Sequence, residues 1–267
     1  MVDQTASPVW STKRKRLNLV VRKIQHRFGP KAVQRGVPAS GQVSHIPTGF
    51  ADLDKALDGI RGIPRGRLTE ILSVRTAGAA TLTLKVMATA QAEGTLATYL
   101  DLGATFDPDY AVRCQVQFSR SQFLLVNPDT TVEALEIAQT LIARHSTGVL
   151  VFDAVSPRLS AGEDVPRIEA LLRQVPQALA GSNCALIVLT PVDTPKAKAK
   201  VYPPGFAALP YYASLRLLLR KERWLLKHND IRGYESRAVV LNNKFGKSGR
   251  SARIAITFNG VAAGDST

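Results

Sequence analysis

Residues 70–84 read EILSVRTAGAATLTL, an apolar strand-like start, a turn of small residues and the opening of a helix. That arrangement suits a phosphate, because backbone N–H groups at a helix N-terminus point at an anion and the helix dipole favours it. The usual loop has a glycine, four variable residues and then Gly-Lys-Ser/Thr; its lysine reaches the β- and γ-phosphates and its hydroxyl holds magnesium. Here Ser73 takes the place of the first glycine and Gly78 that of the second, while Ala79 and Ala80 stand at the lysine and hydroxyl positions, with Thr81 one place beyond. The geometry for a phosphate survives without the side chains that would polarise it. A second chemical pattern lies at 192–209, VDTPKAKAKVYPPGFAAL, where Lys196, Lys198 and Lys200 alternate with alanine ahead of Tyr202 and Phe206. Cations for a phosphate backbone beside aromatic rings for stacking are the ingredients of single-strand binding, and a solvated loop is the alternative.

The bulk charge agrees with a polyanionic partner. Thirty-five Lys and Arg against 21 Asp and Glu leave a formal +14 and a pI near 10.1, a field that favours nucleic acid. It is unevenly placed: residues 13–35 hold nine basic residues and no acid, and residues 216–253 hold eleven against Glu222, Asp230 and Glu235. No apolar run approaches the length of a membrane span, and the N-terminus lacks the apolar stretch of a secretory signal, so a cytoplasmic protein with no membrane association is expected. Cys114 and Cys184 show neither CxxC nor Cys/His spacing, which indicates buried thiols and no metal site.

The elements that must position these residues follow from periodicity. Residues 15–28 place Leu17, Val20, Val21, Ile24 and Phe28 at helical spacing opposite a basic face. So short a helix has to dock its apolar stripe, on this domain, on a second copy or on a partner. After a Gly/Pro/Ser-punctuated linker, Thr48 is expected to cap a short helix. From residue 68 on, apolar strands ending near Asp101, Asn127, Asp153 and Val192 alternate with helices, the pattern of a parallel sheet covered on both faces. Beyond residue 205 three alternating segments, YASLRLLLRKERWLL, ESRAVVLNN and ARIAITFN, predict an antiparallel extension. The expected fold class is α/β, and the expected divisions are a basic arm at 1–36, a linker at 37–48, a core at 49–258 and a tail at 259–267.

Taken in order, IPTGFADLDKALDGIRGIPRGRLTEIL, the loop, TLTLKVMATAQAEG, TYLDLGATFDPDYA, GVLVFDAV, LPYYASLRLLLRK and GYESRAVVLNNK resemble the RecA recombinases over nearly the whole chain, from about residue 15 to about residue 258. The resemblance implies a RecA-like core that binds ATP between subunits, an N-terminal helix that packs on the next protomer, and two loops that bind DNA. It places the adenine-contacting pair at Asp107 and Tyr110, residues that would also start a helix well, with Asp107 or Asp109 at the cap. It places the strand-end aspartate at Asp153 and the two interface lysines at Asn242 and Lys244. The catalytic glutamate falls at Gly103, and the glutamine that senses the γ-phosphate at Pro191. The first DNA loop falls near 158–166 and is short and acidic.

These departures share a direction: the groups that would polarise or hydrolyse the γ-phosphate are replaced, and those that fit the adenine or complete the fold remain. No catalytic residue is assigned. The site at Gly78, Thr81, Asp107, Tyr110, Asp153 and Lys244 is expected to be a vestigial nucleotide site, with ATP and magnesium held weakly. The pattern of loss resembles ImuA-type proteins, RecA relatives that assist an error-prone polymerase. The implied function is single-stranded DNA binding in repair or translesion synthesis, with RecA-like protomers or a translesion polymerase as partners. Two alternatives are an ATPase completed by a neighbouring RecA subunit in a mixed filament, and an interaction module docked through the helix at 15–28.

Overall fold

Apolar runs bounded by small polar turns become strands wherever both faces can be covered, and the sheet order shows how. In a computed structural model the protein is described over residues 8–33, 43–74, 76–153, 164–192, 202–228 and 230–258. It forms two units, 1–42 and 43–267. The first holds helix α1 (Pro8–Phe28) and a short 3-10 turn at Pro30–Ala32. Proline suits the first position of α1, where its missing N–H is no loss, so the helix begins seven residues before the expected start at residue 15. Gln25 Nε2 donates to the Val33 carbonyl at 3.1 Å and closes the turn. Of the expected docking stripe, Val21 is buried and Ile24 half-buried, whereas Leu17, Val20 and Phe28 are exposed.

The second unit opens with a two-stranded antiparallel pair, β1 (His45–Ile46) with β2 (Ile63–Pro64), around helix α2 (Ala51–Ala56). Thr48 does not cap α2 as expected: Phe50 occupies that position. Gly49, at φ 80°, separates Thr48 from the helix, and the threonine braces the approach instead. Its Oγ1 accepts from the Phe50 N–H at 3.2 Å and its own N–H donates to Asp54 Oδ1 at 3.0 Å.

The main sheet has eight strands in the order β10-β9-β8-β3-β7-β6-β4-β5. They are β3 (Leu68–Val74), β4 (Ala97–Asp101), β5 (Phe123–Val126), β6 (Val149–Asp153), β7 (Ala185–Val192), β8 (Leu215–Lys227), β9 (Asp230–Asn243) and β10 (Ser251–Thr257). From β8 to β5 all neighbours are parallel, and β8, β9 and β10 pair antiparallel. The α/β fold with an antiparallel C-terminal extension is the one the periodicity predicts. Period two alternation on β3 sends Ile71 into one core, packed by α2, α3 (Ala79–Ala92) and α4 (Pro108–Arg113). Leu68 faces the other, packed by α5 (Thr131–Ala143), α6 (Val165–Ala180) and α7 (Leu209–Tyr212).

After β3 the chain crosses β7 and β6 to reach β4, and it later returns to the opposite side of β3 as β8. The carboxyl end of β3 therefore lies where the connections diverge, the place at which open α/β sheets bind ligands. Both cysteines are buried free thiols, and burial pushes Cys184 up to about 12. Among the described residues no group of three metal-ligating side chains occurs, and no helix is long and apolar enough to cross a membrane.

Candidate phosphate-loop and DNA-loop sites

Gly78 is the turning point of the candidate phosphate loop. It sits at φ 93° in the left-handed region, immediately before α3 begins at Ala79. A Cβ on it would lie 2.1 Å from Ile256 Cδ1 of β10, so the glycine is required twice, by its dihedral and by the isoleucine packed on it. Ala79 and Ala80 open the helix with methyl groups only. Thr81 follows, buried, with its Oγ1 2.6 Å from the Tyr110 hydroxyl. The Tyr234 hydroxyl of β9 approaches the same threonine. Burial pushes Tyr110 up to about 12 against the opposing bond from Thr81, so both phenols stay protonated at neutral pH. Three elements distant in sequence thus converge on the first turn of α3.

The neighbouring groups are engaged in the same way. Asp107 caps α4, accepting from the Tyr110 N–H at 2.9 Å, so its local role as a helix start is realised. Asp153, buried at the end of β6, accepts from the Tyr99 hydroxyl at 2.6 Å. Burial and the Asp153 carboxylate together push the Tyr99 phenol well above its ordinary value. Asp101 lies beside Asp153 in register. Its carboxylate is spent on the backbone N–H groups of Gly103, Thr105 and Phe106 at 3.2, 3.1 and 2.8 Å, which makes the turn at Gly103 self-supporting. Lys244 is exposed and donates to the Tyr211 carbonyl at 3.3 Å. Asn242 pairs in register with Arg216 on β8, and Pro191 with Ser73.

Of the expected DNA-loop residues, Lys196, Lys198 and Lys200 lie outside the described residues. Tyr202 is half-buried; Arg216 donates to its hydroxyl at 2.8 Å and, through Nε, to Glu70 Oε2. Burial and then the Glu70 charge push this phenol upward. Phe206, expected to stack on bases, is instead a core residue, with its ring 5.8 Å from that of Phe152. The reason is local: the PPGF turn closes with Phe206 N–H on the Pro203 carbonyl. Gly205 lies so close to α6 that a Cβ would fall 2.4 Å from Ile168 Cγ2. The chain is pressed onto the helix there and the ring has nowhere to go but inward.

Tyr99, Tyr234, Ile256, Glu70 and Arg216 escape sequence reasoning because each looks like an ordinary strand residue. The one usable signal is a loop glycine retained where the lysine is absent, which asks for a packing partner.

The family model described as the RecA N-terminal domain matches residues 15–262. The chain belongs to the RecA family. The RecA protein of Thermus thermophilus is 36% identical over 264 residues, covering 92% of this chain and 77% of its own length. That of Herpetosiphon aurantiacus is 33% identical over 262 residues, 92% and 72% respectively, and that of Thermus aquaticus 34% over 263 residues, 92% and 76%. The chain is accordingly a RecA-like protein of DNA recombination and repair. The segments that carried the RecA resemblance lie within the matched span.

Proposed function

We propose that this RecA relative binds single-stranded DNA without useful ATP hydrolysis and acts as an accessory in the DNA damage response or in translesion synthesis. The observation that carries the reading is the state of the phosphate loop. Ala79 and Ala80 offer no donor, the Thr81 hydroxyl is taken up by tyrosines, and Asp153 is bonded by Tyr99. This donor set does not fit a catalytic Mg-ATP. Such catalysis depends above all on preorganised donors to the transferring phosphoryl group, and losing one costs about 100- to 1,000-fold. ATP and magnesium are weak ligands in this reading and no step is routed through them.

The domain roles follow. Residues 1–36 form a docking arm whose exposed Leu17, Val20 and Phe28 engage a RecA-like protomer or a translesion polymerase, and the expected linker at 37–48 gives way at residue 43 to the unit that opens with β1 and carries the core. The lysines at 196, 198 and 200 contact the DNA backbone, and Tyr202 anchors the end of that loop through Arg216.

Two measurements test the reading. With single-stranded DNA and Mg-ATP, phosphate release is expected to stay at the level of a blank without protein. Turnover well above it would end the non-hydrolytic reading, and turnover appearing only on mixing with an active RecA would favour a composite ATPase. In fluorescence anisotropy, three lysine–phosphate contacts predict a log-affinity against log-salt slope of roughly −2 on a single strand, indifferent to ATP. Changing all three lysines to alanine should flatten that slope, and an unaltered slope would remove the loop from the DNA site.

A further inference from the structure

The β8–β9 hairpin runs past the sheet that supports it. β3 pairs with β8 through Leu215–Leu219, and β10 with β9 through Gly233–Val239, so past Leu219 β8 is an open edge and the hairpin tip, Leu226–Lys227 with Asp230–Ile231, is a two-stranded ribbon. Such ribbons are marginal in water unless something covers a face. Register places Trp224 opposite Tyr234 and Leu226 opposite Ile231, and Tyr234 opposite Ile256. Trp224 and Leu226 alternate onto one face, and Phe258 lies two residues past Ile256 beside it. The exposures are 48% for Trp224, 64% for Leu226, 50% for Ile231 and 49% for Phe258. One end of the sheet therefore presents an apolar face with an aromatic centre, the composition of an interaction anchor.

We propose that this face docks an acidic amphipathic segment of a partner protein. Its rim is cationic because the local acids are already spent. Glu222 pairs with Arg237 and Arg253, Glu235 with Arg223 and Arg253, and Asp230 with Arg232. Lys221 and Lys227 have no ion pair among the described residues, and Lys221 Nζ lies 3.9 Å from the centroid of the Trp224 ring. Carboxylates flanking an apolar stripe match that rim, and a second copy, at +14 with the same basic hairpin, does not. Nucleic acid fits less well: one face of Trp224 is covered by the lysine, Tyr234 meets the ring edge-on at 86°, and Leu226 and Ile231 offer no stacking plane. This surface shares no residue with the segment at 192–209 or with the arm at 1–36.

The test uses the full chain carrying Trp10→Phe, which leaves Trp224 as the sole tryptophan reporter. The probes are two synthetic amphipathic peptides of about five helical turns, with leucine on one face and glutamate or lysine on the other. The glutamate peptide is expected to bind with a blue shift of Trp224 emission and the lysine peptide not to bind. Leu226→Ser with Ile231→Ser should weaken the glutamate peptide about thirtyfold, the size of one hot-spot side chain. Lys221→Glu with Lys227→Glu should reverse the preference between peptides, a readout that a merely misfolded ribbon would not produce. Equal binding of both peptides, or binding of neither, would overturn the proposal. So would loss of oligothymidylate affinity in the Leu226/Ile231 variant, which would make the face a nucleic-acid surface. Concentration-dependent dimerisation abolished by the same variant would assign it to a second copy and overturn it equally.

Discussion

Gly78→Ala lowers the free energy of unfolding by about 3 kcal/mol, read from urea denaturation followed by circular dichroism. Two costs add. A left-handed dihedral costs an L-residue roughly 1–2 kcal/mol, and forcing an extra carbon into a packed core costs roughly 1–3 kcal/mol. Here the intruding Cβ would meet Ile256 Cδ1 at 2.1 Å, and Ile256 is buried, so it cannot swing into solvent. A double-mutant cycle separates the two costs. With Ile256→Ala already present the steric part disappears, and Gly78→Ala should then cost only about 1–2 kcal/mol. If the glycine survived solely to let a phosphate approach the backbone, its replacement would cost the same in both backgrounds, and that result would sink the packing account. The distinction matters for function, because it explains why a glycine persists in a loop that has no lysine.

Arg216→Ala should be as damaging, at about 3–5 kcal/mol, the usual consequence of leaving one partner of a buried ion pair alone. Glu70 is fully buried in the central strand β3 and its Oε2 is held by Arg216 from β8. Removing the arginine strands the carboxylate and also takes the donor away from the Tyr202 hydroxyl, which keeps its contact with Glu70. Replacing both charges together, Glu70→Leu with Arg216→Leu, should recover most of the loss, since apolar substitutes for a buried pair are often neutral or better. Tyr202→Phe removes one hydrogen bond and should cost only about 1 kcal/mol. A value for Arg216→Ala no greater than that of Tyr202→Phe would show that the pair contributes little, and that Tyr202 is held by packing alone. Salt-dependent DNA binding measured on Tyr202→Phe would then tell whether the anchor at the end of the lysine loop matters for the proposed DNA contacts.

Part of this protein is written in local pattern. Period two and period 3.6 are properties of neighbouring residues, so the alternating strands and helices, the parallel sheet and the antiparallel extension follow from the chain read in order. Asp107 as a helix cap belongs to the same class, because its bond to the Tyr110 N–H spans three residues. The alanines at 79 and 80 are equally plain, since a side chain that residue type does not provide cannot be supplied by folding within the same loop. What escapes the chain read in order is whatever depends on contact between distant segments. Phe206 looks like a ring available to a base until the turn at Pro203 and the approach of Gly205 to Ile168 drive it inward. Thr48 looks like a cap until Gly49 and Phe50 come between it and the helix, leaving it two residues short of the cap position.

The phosphate loop divides along the same line. Sequence alone determines that it cannot place a lysine on a phosphate, because residue type is local. Only the tertiary structure decides what Gly78, Thr81 and Asp153 are for. Their partners Ile256, Tyr110, Tyr234 and Tyr99 are brought to them by sheet order and register, and a packed core is set by which strands become neighbours rather than by which residues follow one another.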